Sequence, residues 1–262
     1  MTVAAALRSP SPMTAFAAAI TPPEALDAAL RERGRAVLAP AGFEALVGAS
    51  PAALDALRAS WNSLPPDAHL RDGGRYRQRR HASFVVDAHE VRLVPQRAHW
   101  QPLEYNALHG GLKRWFEPIE AAVVASPAWQ RVLLAFAAMS SRLRGAQPWF
   151  VEAHQFRIDT TDGIGRPTPE GAHRDGVDFV VVMLIDRVGI KGGETRVFEA
   201  DGPAGLRFTM SDAWTTLLLD DHRVIHESTP IQPLDGHGQA ACHRDTLVLT
   251  FRARGFQGPV AA

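Results

Sequence analysis

Apolar residues follow two different periods along this chain, and the change falls near Pro148. Before it, the spacing is mostly helical. Leu26, Leu30 and the Val37–Leu38 pair form a stripe opened by Pro22 and Pro23, which predicts a helix over Pro22 to Leu38. Ser50–Pro51 reads as a cap and first turn ahead of Leu54, Leu57 and Trp61, with Pro65–Pro66 as the stop. A short helix is expected over Trp115 to Ala125, and Ser126–Pro127 opens another through Val132, Leu133, Phe136 and Met139. Two strands, Ala82–Val86 and Val91–Val94, flank a turn at Asp87–His89.

After Pro148, alternation and short apolar runs take over. Phe150 to Asp159 places Glu152, His154, Phe156 and Ile158 on one side, and Val151, Ala153, Gln155 and Arg157 on the other. Val177 to Ile185 is apolar and rich in valine, as in a buried strand. Further strands are expected at Thr195–Phe198, Leu206–Thr209, Trp214–Leu219, Val224–His226 and Thr246–Phe251. Many short strands with turns between them predict a mainly β fold, an antiparallel sandwich or jelly roll with helices packed outside. With no repeat or linker in view, residues 1–262 read as one domain, a helical region of about 20–145 packed on a jelly-roll core of about 80–255.

Composition narrows the function. Charges balance to a net of zero, so neither a nucleic-acid nor a membrane surface is indicated. No apolar run approaches the roughly 20 residues of a membrane helix. Met1 to Ile20 is rich in alanine, lacks a basic start and reads as a frayed end or a short first element rather than a signal peptide. Cys242 is the sole cysteine, which excludes an internal disulfide and fits a cytoplasmic setting. The basic run Arg71 to Arg80 reads either as a solvated loop or as a pocket wall that offers arginines to an anionic group.

The chemistry centres on Pro167 to Phe179, a loop with two prolines and two glycines that runs into the valine-rich strand. It holds His173 and Asp175, which share a face if the junction is extended. Together they are two-thirds of a 2-His-1-carboxylate site for Fe(II). The third ligand is sought among His222, His226, His237 and His243. His226 is favoured, since it sits where a strand ends and a jelly roll gathers such junctions at one open end. The competing readings are a structural hydrogen-bonded His173–Asp175 pair, or zinc or manganese in a cupin-like site. Such an iron site leaves room for a 2-oxo acid and O2. The far carboxylate of the acid needs a cation, for which Arg244 is the candidate and Arg252 the runner-up.

These residues resemble those of the bacterial Fe(II)/2-oxoglutarate-dependent dioxygenases that include L-isoleucine 4-hydroxylase. The likeness spans about residues 70–252 and is carried by Arg75–Arg77, Gln101, Tyr105–Asn106, Gly110–Gly111, Phe116–Pro118, His154–Arg157, Pro167–Phe179, Gly192–Gly193, His226–Ile231 and Arg244–Asp245. It implies a double-stranded β-helix in which His173, Asp175 and His226 bind Fe(II) and Arg244 holds 2-oxoglutarate. It also implies oxidation of a free aliphatic L-amino acid such as isoleucine, leucine or methionine, the last by sulfoxidation. A buried zwitterion needs a cation for its carboxylate, from Arg75, Arg77 or Arg157, and an anion for its ammonium, from Glu152, Glu170 or Asp178. Tyr76 and Tyr105 are candidates for the pocket lining, and Thr160 to Gly171 for a lid. The alternatives are a jelly-roll protein that binds a metal or small anion without catalysis, and an oxygenase of another small acid.

Overall fold

The computed structural model describes residues 17–234 and 242–259. The helices are α1 (Leu26–Arg33), α2 (Pro40–Val47), α3 (Pro51–Arg58), α4 (Ala121–Val124) and α5 (Pro127–Arg144). Ser50 and Ser126 cap α3 and α5, each hydroxyl accepting the N–H three residues on at 3.3 Å. Among the described residues, no helix is long and apolar enough to cross a membrane.

The strands are β1 (Arg35–Leu38), β2 (Arg77–Val86), β3 (Val91–Leu93), β4 (Trp149–Asp159), β5 (Phe179–Val188), β6 (Ile190–Gly192), β7 (Thr195–Glu199), β8 (Gly205–Phe208), β9 (Thr216–Asp220), β10 (Val224–Ser228), β11 (Ile231–Pro233) and β12 (His243–Arg252). Seven of them form one antiparallel sheet in the order β1-β9-β5-β12-β4-β2-β3. The sheets β10-β7-β8 and β11-β6 stand apart from it and close the roll. This is the mixed sheet-and-helix, double-stranded β-helix architecture that the strand pattern predicts.

Strand parity divides the work of the large sheet. Its outward residues, such as Val151, Ala153, Val181, Met183, Leu247 and Leu249, pack with Leu30, Phe43, Leu54, Trp61 and Phe136 of the helical layer. Its inward residues differ along the sheet. On β5 and β9, Val180, Leu184, Leu217 and Leu219 meet Val197, Phe208 and Val224 in a second apolar cluster. On β2 and β4 the inward residues are Arg77, Arg79, His81, Ile158, Phe156 and His154, paired in that order across the strands. A mostly polar half-face is thus built into the sheet by sequence alternation alone.

Three expectations change. The helix predicted over Pro22 to Leu38 stops at Arg33, because Gly34 takes a left-handed conformation (φ 67°) and Arg35–Leu38 turns back to pair with β9. The helix predicted over Trp115 to Ala125 shrinks to Ala121–Val124, since Pro118 is drawn into a bridge with His81. The basic run splits: Arg71 and Arg75 stay exposed, while Arg77 to Arg80 belong to β2 and bury Arg77 and Arg79.

Candidate metal centre and cavity

His173 and His226 are paired by their backbones, each N–H donating to the other's carbonyl at 3.0 Å. Directly paired residues send their side chains to the same side, and the two imidazoles lie 4.7 Å apart between ring centres. Asp175 completes the group, with Oδ1 3.9 Å from His173 Nε2 and Oδ2 3.7 Å from His226 Nε2. One donor atom from each of the three lies within 4.8 Å of the others, a set that can hold one metal ion. Of the other histidines considered, His222 is exposed beside Asp178, His243 lies beside Asp245, and His237 is outside the described residues.

The surroundings fix these donors. His173 Nδ1 donates to the Gly171 carbonyl at 3.0 Å, which turns Nε2 toward the site. Burial, then the neighbouring His173, pushes the His226 imidazole down, so it is neutral at pH 7 with a lone pair to give. Gln101 Nε2 donates to Asp175 Oδ1 at 3.0 Å, and Gln101 Oε1 accepts from Asn106 and Arg114, which sets the orientation of the amide.

Asp221 holds the loop from behind, accepting from the backbone N–H groups of Asp175, Gly176 and Val177 at 3.0, 2.7 and 3.1 Å. Gly176 has φ 74°, and a Cβ there would meet the Tyr105 ring at 2.4 Å. Asp221→Ala is expected to leave these amides without an acceptor, at about 1–3 kcal/mol each when buried. We expect its melting temperature to fall by on the order of 10 °C in a calorimetric scan. An unchanged melting temperature would mean that other acceptors take the three amides.

A cavity opens between this group and the inward face of the sheet. His173, Asp175 and His226 line it together with Arg77, Arg79, His154, Phe156, Val182, Arg244, Thr246 and Val248, and with Thr168 and Glu170 as its cover. Arg77 and Arg244 flank Ile158 in register on β2 and β12. Arg244 is 4% exposed, and neither its Nε nor one of its terminal nitrogens has an acceptor among the described residues. Burial, then Arg187, lowers it to about 10, so it remains a cation at neutral pH. A desolvated guanidinium with free donors suits a carboxylate. Arg252, the runner-up, instead donates to Gly255 and lines a separate cleft at the surface.

Several residues expected at the substrate site lie elsewhere. Arg75 pairs with Asp162 and is largely exposed, its backbone N–H, Nε and one terminal nitrogen donating there. Tyr76 is buried against Ile158, Ile190 and Ile231, and its hydroxyl donates to Asp72 at 2.5 Å. Arg157 points outward, because it alternates with His154, and makes two hydrogen bonds to Asp245 at 2.8 and 2.7 Å. Tyr105 and Asp178 line the surface cleft, and Asp178 accepts the Ala253 N–H. Of the substrate residues named from the sequence, Arg77 reaches the cavity, joined by Glu170 from the ammonium candidates. Sequence reading missed Arg79 and His109, although the parity of β2 from Arg77 places Arg79 on the same face.

The expected lid, Thr160 to Gly171, is tied down along one flank. Gly165 exchanges both backbone hydrogen bonds with Ile231, and the Thr168 hydroxyl donates to the Ser228 carbonyl at 2.9 Å. A second buried group of metal-ligand types, His81, His99, Glu152 and His154, adjoins the cavity, which His99 and His154 line. Its donors are occupied: Glu152 takes His81 and His99 at 3.3 Å each and Arg97 at 2.7 Å, while Arg79 donates to His154 Nδ1 at 2.9 Å. Burial opposes the charge of Glu152, yet His99 and His81 hold it well below the usual carboxylate range.

Comparison with known proteins decides the family. Residues 58–250 match the family described as 2OG-Fe dioxygenase. The chain belongs to that family. Among solved structures, this dioxygenase is similar to a bsmA homolog from Methylobium petroleophilum PM1, at 50% identity over 95% of this chain and 100% of that one, with a TM-score of 0.87. It shares the fold of IDO from Bacillus thuringiensis, at 17% identity over 88% and 99% of the two chains and a TM-score of 0.71. The Fe(II)/(alpha)ketoglutarate-dependent dioxygenase TqaL gives 20%, 92% and 90%, with a TM-score of 0.66. No curated protein matches the chain. The dioxygenase is therefore an enzyme that uses Fe(II), 2-oxoglutarate and O2. Both the donor set and the unpartnered Arg244 fit those groups.

Proposed function

We propose that this dioxygenase, acting as a single domain, hydroxylates or sulfoxidises a free aliphatic L-amino acid such as isoleucine, leucine or methionine. In this reading His173, Asp175 and His226 bind Fe(II), and Arg244 receives the distal carboxylate of 2-oxoglutarate. The observation that carries it is the meeting, in one cavity, of a His/Asp/His donor set and a buried guanidinium, two of whose nitrogens have no acceptor among the described residues. The group the donors would hold supplies oxygen activation: 2-oxoglutarate and O2 become succinate and CO2, one oxygen atom entering succinate and the other the substrate.

The chain's own residues do the selecting. Thr168 and Glu170 cover the cavity, and Phe156, Val182 and Val248 offer an apolar wall for an aliphatic side chain. The bacterial group that includes L-isoleucine 4-hydroxylase is the one its motifs resemble. A cytoplasmic setting, where 2-oxoglutarate and free amino acids are at hand, belongs to the same reading.

The test is succinate formation under air with Fe(II), 2-oxoglutarate and ascorbate, each proteinogenic amino acid being offered singly and the products weighed by mass spectrometry. We expect isoleucine, leucine or methionine to gain one oxygen, matched by succinate. Succinate without any oxidised amino acid would move the search to other small acids.

A further inference from the structure

The cavity holds a second set of unsatisfied buried groups besides Arg244. Arg77, 5% exposed, spends its Nε on Asp67 at 2.7 Å and has a terminal nitrogen with no acceptor among the described residues. His109, 1% exposed, also lines the cavity, and its Nε2 has no partner there. Glu170 is the third. Its Oε1 accepts from Asn106 at 3.4 Å and lies 3.8 Å from His173 Nε2, while its Oε2 is buried without a donor among the described residues. Native proteins rarely leave so many buried polar atoms unpaired in one place, unless a ligand pairs them. Two are nitrogens suited to an anion, and one is a carboxylate oxygen suited to a cation.

We infer that Arg77 and His109 together receive the carboxylate of the substrate amino acid and that Glu170 receives its ammonium, so that only amino acids with both termini free are oxidised. This rests on the amino-acid reading above and adds the residues that enforce it. His109 acts as a neutral donor: burial, then Arg77 and Arg114, lowers it to about 4, so at pH 7 it brings a hydrogen bond and no further charge. Arg77 supplies the charge, and Asp67, whose side chain is fully buried, holds it in place. Glu170 sits three residues before His173, so the ammonium would be fixed beside the metal centre and the side chain would run on along Phe156, Val182 and Val248. A site built to pair both ions rejects an analogue that lacks either, because its own buried groups then stay unpaired.

The experiment compares the best amino acid with its N-acetyl and carboxamide derivatives, using the wild type, Glu170→Gln and His109→Phe. Both variants are near-isosteric, and circular dichroism with the KM for 2-oxoglutarate reports whether each remains folded and loaded. We expect the wild type to oxidise the free amino acid and neither derivative. Losing one charge-assisted hydrogen bond should raise the amino-acid KM about 10- to 100-fold in Glu170→Gln, and losing a neutral one about tenfold or less in His109→Phe. The preference of Glu170→Gln for the free over the acetylated amino acid should shrink by a similar factor. If the free amino acid is oxidised but its derivatives react equally well, or if both variants keep the wild-type KM, the inference is overturned and the amino-acid reading stands. If no free amino acid is oxidised at all, that reading fails and takes the inference with it.

Discussion

Asp175→Ala and His226→Ala are each expected to abolish both tight metal binding and turnover of 2-oxoglutarate. With Asp175 gone, the site keeps two imidazoles and loses the carboxylate that offsets a divalent ion in a desolvated pocket. With His226 gone, the backbone pair to His173 persists, because it is made by main-chain atoms, and the change is confined to the donor. That contrast is useful, since His226→Ala should keep its fold while losing its metal. A graded comparison comes from Gln101→Ala, which leaves all three donors in place but removes the hydrogen bond that orients Asp175 Oδ1, together with the acceptor that Asn106 and Arg114 share. It should weaken metal binding by roughly 10- to 100-fold, the usual cost of losing an outer partner. Co(II) titration followed by visible absorption reads all three variants without relying on turnover. Acidification should weaken metal binding in the wild type, because the metal competes with a proton on His173. Burial opposes that proton, yet Asp175 and Glu170 outweigh it and raise the group above the ordinary histidine value. A metal affinity unchanged in His226→Ala would remove that residue from the donor set.

The second large effect is expected at Arg244. Arg244→Met should raise the KM for 2-oxoglutarate by an amount equivalent to about 2–5 kcal/mol, the cost of truncating one partner of a buried charge pair. Its effect on stability should run the other way. Among the described residues the Arg244 Nε and a terminal nitrogen are buried with no acceptor, and Arg187 is a second cation close by. Burial and Arg187 outweigh the favourable charge of Asp245, so replacing this buried cation by an apolar side chain relieves a cost, and the variant should melt at the wild-type temperature or above it. A structural arginine would behave oppositely. In the presence of Mn(II), 2-oxoglutarate should raise the melting temperature of the wild type and leave Arg244→Met unmoved. Arg252→Ala should match the wild type in both assays. If instead Arg252→Ala loses 2-oxoglutarate affinity and Arg244→Met keeps it, the two assignments exchange.

Parity was the part of this molecule most legible in its sequence. The alternation of β4 separates His154 from Arg157, and the fold places His154 in the cavity and Arg157 outside with Asp245. A period of two is a local property, so it survives without knowledge of which strands pair. The grouping of His173 with His226 was within reach only in part, since His226 lies in the middle of β10 and not at its end, and an isolated backbone bridge outside β5 brings His173 beside it. What stayed hidden was long-range. Nothing local says that Tyr76 turns into an apolar cluster while the next residue, Arg77, faces the cavity, or that Tyr105 packs behind Gly176 rather than in front of the metal centre. His109 looks like any histidine in a polar loop, and its burial depends on how the chain from His99 to Arg114 folds back upon itself. The shortened first helix is a different kind of miss. Gly34 was a readable stop signal within an otherwise helical pattern, and a left-handed cap there outweighs the apolar pair that follows.

The two faces of the large sheet also bear on how such an enzyme can change. Outward side chains pack against the helices, whereas inward ones divide between a second apolar cluster on β5 and β9 and the lining of the cavity. Phe156, which lines the cavity outside the apolar clusters, can therefore be exchanged for larger or smaller apolar residues with little disturbance of the core, whereas Val182 and Val248 also pack against the second apolar cluster. A lineage, or a directed-evolution library, can explore new substrates through Phe156 at low risk to foldedness. An insertion of one residue within β4 or β12 has no such latitude, since it would turn every later side chain of that strand to the opposite face.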